Sequence, residues 1–397
     1  MDFSRDVVIV GGCGHVGLPL GIAFAQAGLS VTLYDTNHRV VEQVQAGQMP
    51  FLEAGADKAL EQVVRAGTLT ASTEAAVVSQ AEHVVVVVGT PVDDHLTPDP
   101  NAVPGAVDAL LGDLRDGQHL VLRSTVFPGV TAVVERLVAR SGVELDVSFC
   151  PERIAEGKAL DELGVLPQIV AGRTPGAVER ASELFRNLTP SIVVLEVEEA
   201  ELAKLFTNTW RYIKFAAANQ LFMIANDHGL DFERIRAALQ FDYPRAADMP
   251  GPGFAAGPCL LKDTMQLATF DANHFTLGHA SVMVNEGLPL YVVDRLEKRF
   301  DLSTMTVGIL GMAFKGESDD VRSSLAYRLR RLLRFKAGQV ICTDPYVAHD
   351  PELLALDDVV ARADLLIIGA PHRAYAELEP DVPVVDLWNL LGGGVLV

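Results

Sequence analysis

An apolar run at residues 7–10 leads directly into Gly12-Cys13-Gly14-His15-Val16-Gly17 and then into a helical pattern over residues 18–27. A strand, a glycine turn and a helix in this order form the first half of a βαβ unit. The first glycine permits the tight turn, the second lets backbone approach a pyrophosphate, and the third lets helix and strand pack closely. The helix start then points its positive dipole end at the phosphates. A glycine triplet alone is weak; its context is supplied by a second strand at Val31–Tyr34 that ends on Asp35, 35 − 12 = 23 positions after the first glycine. A carboxylate there accepts hydrogen bonds from ribose hydroxyls and repels a 2′-phosphate, which favours NAD over NADP. The expected cofactor contacts in this region are Gly12, Gly14, His15, Val16, Gly17, Asp35 and Arg39.

The strand grammar continues. Residues 83–88 form an almost unbroken β-branched run, and His119–Leu122 and residues 145–149 are similar, as expected of parallel strands buried on both faces. Ligands of open α/β sheets bind beyond the carboxyl ends of strands. Thr90 and Pro91 follow one such strand, and Ser124 and Thr125 another, so all four join the expected cofactor set. From Glu196 to about Gly229 the chain lacks proline and glycine until its end. Leu202, Leu205, Phe206, Trp210, Ile213 and Phe215 fall near a 3.6-residue period there. So long a helix reads as a spine between domains whose outer face pairs with a second subunit. Helical character persists to about Arg299. Strand Thr306–Leu310, a turn at 311–315, a helix at 323–335 and strand Gln339–Thr343, ending in Asp344, then echo the opening. The expected class is α/β, with two Rossmann-like doubly wound domains joined by a long helix and a helical middle domain. The expected divisions are 1–195, 196–303 and 304–397.

At 397 residues the chain exceeds one core. Its 49% hydrophobic and 21% charged residues are ordinary for a globular protein, and no apolar run reaches membrane-span length. The N-terminus enters a strand pattern with no signal-peptide character, so a cytoplasmic enzyme is expected, with no membrane partner. A net charge of −20 disfavours nucleic acid as a partner. An anionic ligand would need local cations and backbone amides. Cys13, Cys150, Cys259 and Cys342 are scattered, which argues against a zinc site or a disulfide framework and fits a reducing compartment. Any one of them is by default a small buried hydrophobe.

Cys259 departs from that default. It ends the loop Pro-Gly-Pro-Gly-Phe-Ala-Ala-Gly-Pro-Cys and precedes Leu-Leu-Lys262-Asp263. A cysteine beside a cation at a helix start has the surroundings that favour a thiolate. Such a thiolate can attack an aldehyde, and Asp263, one turn on, can activate water. The bland alternative is a buried cysteine beside a surface Lys-Asp pair.

Seven segments, in order, resemble the UDP-glucose/GDP-mannose dehydrogenase family: GGCGHVGLPLG (11–21), VGTP (88–91), RSTVFPG (123–129), CPERIAEG (150–157), AELAKLFTN (200–208), GPCLLKD (257–263) and LGMAFKGESDDVRSS (310–324). They span almost the whole chain. The resemblance implies an NAD-dependent, two-step oxidation of the C6 alcohol of a UDP-sugar to the uronic acid. Cys259 would form a thiohemiacetal and then a thioester. Lys204 would stabilise the oxyanion, which gives a reason for an ammonium on a mostly apolar helix. Asn208 would hold the sugar or a water. Glu152 would act in the proton transfers, helped by a water near Thr125 and Asp263. Glu156, Lys262 and Arg322 match positions that face the dinucleotide. Arg153, Ile154, Gly253, Phe254, Phe314 and Lys315 join Glu152, Lys204 and Asn208 in the implied substrate set. Residues 304–397 would bind the nucleotide sugar.

Pro151-Glu152-Arg153 and Tyr243-Pro244-Arg245 resemble the branch acting on UDP-N-acetylmannosamine or UDP-N-acetylglucosamine. UDP-glucose is the alternative substrate. In the family an arginine at the Arg245 position reaches a neighbouring subunit's sugar site, so a homodimer or higher homo-oligomer is expected. Two departures stand out. Ala256 and Gly257 replace a glycine pair, and Asp386-Leu387-Trp388-Asn389 replaces the family's Asp-Gly-Arg-Asn. A one-step hydroxyacid-type dehydrogenase would need neither Cys259 nor a third domain. A non-catalytic nucleotide-sugar binder would not need Cys259, Lys204, Glu152 and Asp263 together.

Overall fold

The structure, a computed structural model, describes residues 3–90, 92–93, 98–255 and 257–397. It divides into two compact units, Met1–Thr207 and Asn208–Val397. Of the expected site residues, Pro91 lies outside the described residues, as does Ala256 of the glycine-pair departure.

The first unit contains β1 (Arg5–Val10), β2 (Val31–Tyr34), β3 (Leu69–Ser72), β4 (Ala81–Val86), β5 (His119–Leu122), β6 (Asp146–Phe149), β7 (Gln168–Gly172) and β8 (Ile192–Val194). They form one sheet in the order β3-β2-β1-β4-β5-β6-β7-β8. The first six follow the doubly wound order, whose switch point lies between β1 and β4. Every pairing is parallel except β6–β7, which is antiparallel, so the expected parallel sheet carries one reversal. The strands separate two cores by their two-residue period. Val7 and Ile9 pack with Leu18, Leu20 and Phe24 of the helix Gly17–Gln26, while Val8 and Val10 pack with Val134 and Val138 of the helix Val130–Ser141. The run at 83–88 leaves the ladder earlier than its composition implies. Val87 N–H still reaches Val10 O at 2.9 Å, and the chain then departs toward Thr90.

A histidine pair joins β4 to β5. Ser148 Oγ donates to Ala177 O (3.0 Å) and therefore accepts from His119 Nε2 (2.8 Å). That leaves His119 Nδ1 to accept from His83 Nδ1 at 3.0 Å, so the network requires a neutral His119 ring that takes its proton on Nε2. Burial lowers His83 to about 4, with Glu82 opposing and Arg180 assisting, and burial likewise holds His119 well below its ordinary range. A folded value below the unfolded one means the unfolded chain binds more protons as pH drops. Stability is therefore complete above the unfolded value near 6.5 and is lost progressively as pH falls toward 4. The His83 shift alone corresponds to about 2 kcal/mol by pH 5. Lowering pH from 7.5 to 5 should reduce the melting temperature of this unit by about 5 °C. The variant His83→Asn/His119→Leu should lose that slope. An unchanged slope in the double variant would show that other groups carry it.

The second unit contains β9 (Thr306–Leu310), β10 (Gln339–Thr343), β11 (Leu365–Ile368) and β12 (Val384–Val385), all parallel in the order β10-β9-β11-β12. This repeats the β2-β1-β4-β5 arrangement, so the sequence echo is an echo of fold. Its acid is used differently. The Asp344 side chain has no solvent exposure and accepts from Met312 N, Ala313 N, Tyr346 N and His372 Nε2. It ties loops together rather than facing a ligand.

The long helix is Val197–Asp227. It ends where Gly229 takes φ of 68° and returns its N–H to Asn226 O, a glycine stop. Helices Phe232–Gln240, Leu260–Phe270 and Thr276–Arg299 follow. The helix expected at 323–335 is shorter, Leu325–Leu333. Ser323 has φ of 55°, outside the helical region, and Ser324 caps the start by accepting from Ala326 N. Val395 and Val397 are buried in this unit's core, with their N–H groups donated to Asp231 and Asn226. Among the described residues no helix is long and apolar enough to cross a membrane.

Candidate active site

The three glycines of the first βα turn have separate physical roles. A Cβ at Gly12 would lie 2.6 Å from Ile9 O and 2.9 Å from Leu33 Cβ, and one at Gly17 would lie 2.7 Å from Gly12 Cα. These two are demanded by packing. A Cβ at Gly14 would meet nothing nearer than Gly11 O at 3.8 Å, so its outer side is open to a ligand. Asp35 is half-buried and accepts from Cys13 N and Asn37 N, both at 3.1 Å, which aims its carboxylate along the turn. His15 packs on Phe51 with ring centroids 4.0 Å apart, and its Nδ1 lies 3.9 Å from Glu156. Val16 and Thr90 are half-buried and Arg39 is exposed. Ser124 is buried at the end of β5 and donates to Val88 O (2.8 Å), linking two strand ends; Thr125 beside it is half-buried. An open glycine between two packed ones, followed by an oriented acid, fits the pyrophosphate and ribose of a dinucleotide.

The segment after β6 is held by carboxylates. Glu152 Oε1 accepts from the N–H groups of Arg153 (2.7 Å) and Ile154 (2.9 Å), and its Oε2 pairs with Arg123. Arg123 Nη1 donates to Cys150 O (3.1 Å) and Gln168 Oε1 (2.9 Å), and its guanidinium lies 4.8 Å from the Phe185 ring. Glu53, 1% exposed, accepts from Gly157 N and Ala159 N. The Arg153 side chain turns to Pro167 O. On the long helix Lys204 is buried. One turn earlier, buried Glu201 accepts from Gly129 N and Thr131 N and so caps the helix Val130–Ser141. Sequence reading assigned nothing to Arg123, Glu53 or Glu201. For Arg123 there was one signal, a cation at the end of an apolar strand.

In the second unit Cys259 is the N-cap residue of the helix Leu260–Phe270 and is exposed. The other three cysteines are buried. Burial pushes the Cys13 and Cys150 thiols to about 12 and Cys342 to about 11. Asp263 is fully buried, accepts from Asn208 Nδ2 at 2.6 Å and pairs with Lys262 Nζ at 2.9 Å. This reverses the bland alternative of a buried cysteine beside a surface ion pair. Asn208, Lys262 and Asp263 are thus brought together around the helix that Cys259 begins, with Lys262 turned to the carboxylate.

Other expected substrate residues have mixed placements. A Cβ at Gly257 would fall 2.7 Å from the Phe314 ring, and Lys315 Nζ lies 5.6 Å from that ring. Gly253 exchanges both backbone polar groups with Asn219, and a Cβ there would collide with Trp388. Phe254 is 2% exposed and meets Trp388 edge to face. Trp388 donates Nε1–H to Ile368 O at 3.1 Å and so packs against the sheet's strand end. Arg245 is exposed, 5.6 Å from the Tyr243 ring. Arg322 pairs with Asp320 (2.6 Å).

Known proteins resemble the chain over nearly its whole length. Residues 6–189 match the NAD binding domain of the UDP-glucose/GDP-mannose dehydrogenase family, 198–286 its central domain and 308–392 its UDP binding domain. A UDP-N-acetyl-D-mannosamine dehydrogenase of Pyrococcus horikoshii is 30% identical, over 93% of this chain and 90% of the relative. One from Yersinia pestis is 29% identical, over 95% and 96%. The solved UDP-glucose dehydrogenase of Pyrobaculum islandicum superposes with a TM-score of 0.88 at 28% identity, covering 96% of this chain and 94% of that one. With a dinucleotide cradle, an exposed cysteine at the start of the helix that carries Lys262 and the buried Asp263, and matches running through all three family domains, the chain belongs to the UDP-glucose/GDP-mannose dehydrogenase family.

Proposed function

We propose that this NAD-dependent nucleotide-sugar dehydrogenase oxidises the C6 alcohol of a UDP-sugar to the carboxylate in two steps, holding the intermediate aldehyde on Cys259. The observation that carries the reading is the exposed Cys259 at a helix start, one turn before the buried Asp263 and its partners Asn208 and Lys262. NAD, when bound, accepts one hydride from C6 in each oxidation. The rest falls to the chain. Sγ of Cys259 adds to the aldehyde carbon to give a thiohemiacetal, and loss of the second hydride leaves a thioester. Water cleaves that thioester, releasing the acid and restoring the thiolate. Lys204 balances the oxyanion and Asn208 orients the sugar or a water. Glu152 moves protons during addition and hydrolysis, with Thr125 and Asp263 ordering the water. Gly12, Gly14 and Gly17 with Asp35 hold the cofactor. Phe314 and Lys315 hold the nucleotide sugar, with the chain used as segments 1–195, 196–303 and 304–397. The three family matches at 6–189, 198–286 and 308–392 support that division.

The sugar is an N-acetylated hexosamine, gluco or manno. Pro151-Glu152-Arg153 and relatives named as UDP-N-acetyl-D-mannosamine dehydrogenases support this. UDP-glucose is the second reading, favoured by likeness to a solved UDP-glucose dehydrogenase. The working unit is a homodimer. Trp210, Leu221 and Ile224 on the long helix are 58%, 43% and 52% exposed, an apolar stripe suited to a second copy. Arg245, exposed on its loop, reaches across. None of the four cysteines is in a disulfide, which fits the cytoplasm.

The test is a panel of UDP- and GDP-sugars with NAD. Two NADH per sugar consumed are expected, with UDP-N-acetylhexosamines preferred. One NADH per sugar would move the chain to one-step dehydrogenases, and no turnover on any sugar would leave a binder.

A further inference from the structure

Arg123 has no solvent exposure on its side chain. Taking a guanidinium wholly out of water is costly, and a buried ion pair is weak support for stability because apolar replacements often serve as well. Its Nε has no partner among the described residues, an added cost. The remaining donors reach one short segment and the glutamine that also holds it. Nη2 meets Glu152 Oε2, and Nη1 meets Cys150 O and Gln168 Oε1. Gln168 in turn donates to Pro151 O at 3.2 Å. Three consecutive residues, 150 to 152, are therefore held by one arginine and its glutamine partner. Glu152 Oε1 is held from the other side by Arg153 N and Ile154 N. The nearby charges are Arg153 on the same loop and Glu162, whose carboxylate accepts from Ala155 N at 2.6 Å. Of the two cations, Arg123 is the one whose guanidinium grips the carboxylate, since Arg153 turns to Pro167 O.

We propose that Arg123 is a positioning residue for the oxidation, fixing the orientation of the Glu152 carboxylate and, with Gln168, the path of the 150–154 segment. It touches no reacting atom and acts through Glu152, so the inference rests on the role given to Glu152 above. A fork of donors in one plane sets the direction of a carboxylate as a single ammonium does not. A proton-transfer group displaced by about 1 Å loses on the order of 100-fold in rate.

The test is a kinetic cycle in the whole enzyme with Arg123→Gln, Glu152→Gln and the double variant. Arg123→Gln should lower kcat at least about tenfold while KM for NAD and for the UDP-sugar stays within about threefold. The double variant should be within about twofold of Glu152→Gln alone, because removing the group acted through removes the effect. Multiplying losses, or a KM for NAD that rises as kcat falls, would make Arg123 a general support of the domain and overturn the proposal. Arg123→Lys should recover only part of kcat; full recovery would show that charge suffices and orientation does not matter. If Arg123→Gln does not fold, Gln168→Leu removes one anchor and leaves the ion pair. It should lower kcat about threefold or more at unchanged KM, and an unchanged kcat would overturn the proposal. Full turnover by Glu152→Gln alone would instead refute the role of Glu152, separately from that of Arg123.

Discussion

The variant Cys259→Ser is expected to halt the enzyme after the first hydride transfer. A serine hydroxyl at this position is nearly isosteric but far less nucleophilic than a thiolate at neutral pH. The residue is exposed and caps its helix through backbone, since its carbonyl accepts from Asp263 N at 2.9 Å. Folding and NAD binding should therefore survive. Formation of the acid should fall by a factor of about 1,000 or more, which is about 4 kcal/mol of barrier. The readout is NADH per sugar, two in the parent enzyme and one per active site in a single turnover of the variant. Alkylation provides a parallel check. Burial pushes Cys13, Cys150 and Cys342 to about 12, 12 and 11, so at pH 8 they remain thiols. Rapid labelling should reside on Cys259 and vanish in the variant. Full two-step turnover by Cys259→Ser would remove the cysteine from the mechanism.

The second large effect is a contrast between two glycines three residues apart. Gly17→Ala places a methyl 2.7 Å from Gly12 Cα and 2.8 Å from Gly11 O, both backbone atoms with no freedom to retreat. The helix must shift from β1, at an expected cost of about 3 kcal/mol or more, and NAD affinity should collapse with it. Gly14→Ala meets only Gly11 O at 3.8 Å, so the melting temperature should hold. Its methyl would instead occupy the open side where pyrophosphate approaches, and the Kd for NAD should rise at least about tenfold. Calorimetric titration with NAD and thermal melts of both variants decide the matter. If Gly14→Ala binds NAD normally, the phosphates do not pass over that turn. If it melts as low as Gly17→Ala, the open side is not open.

Both predictions concern features legible in the chain. Residues 7–17 announce strand, turn and helix because their cause is local: a β-branched run, glycines at fixed spacing, then a helical period. The same locality explains why β2, β5, β9 and β10 begin and end where the sequence pattern puts them. Where local signals conflict with long-range ones, reading fails in small ways. The run at 83–88 is apolar throughout, yet the ladder ends at Val86 because its neighbours end there. Ser323 and Ser324 fall inside the helix expected at 323–335, but one turns left-handed and the other caps.

The sequence by itself determined the alternation of strands and helices, the dinucleotide turn with its acid, the repeat ending in Asp344, and the one cysteine worth suspecting. These follow from residue type and spacing, which a chain carries whether folded or not. Tertiary structure decided which charges are buried and with whom. Glu53 reaches across 104 positions to Gly157, Asn208 across 55 to Asp263, and Arg123 across 29 to Glu152. It also decided that β7 runs against β6, that Asp344 is locked by His372 while Asp35 is held by backbone N–H groups of its own turns, and that Trp388 lies over Gly253. The physical reason is desolvation: what an ionised or polar group costs, and which partner must answer it, depends on what surrounds it in three dimensions, and no spacing along the chain records that.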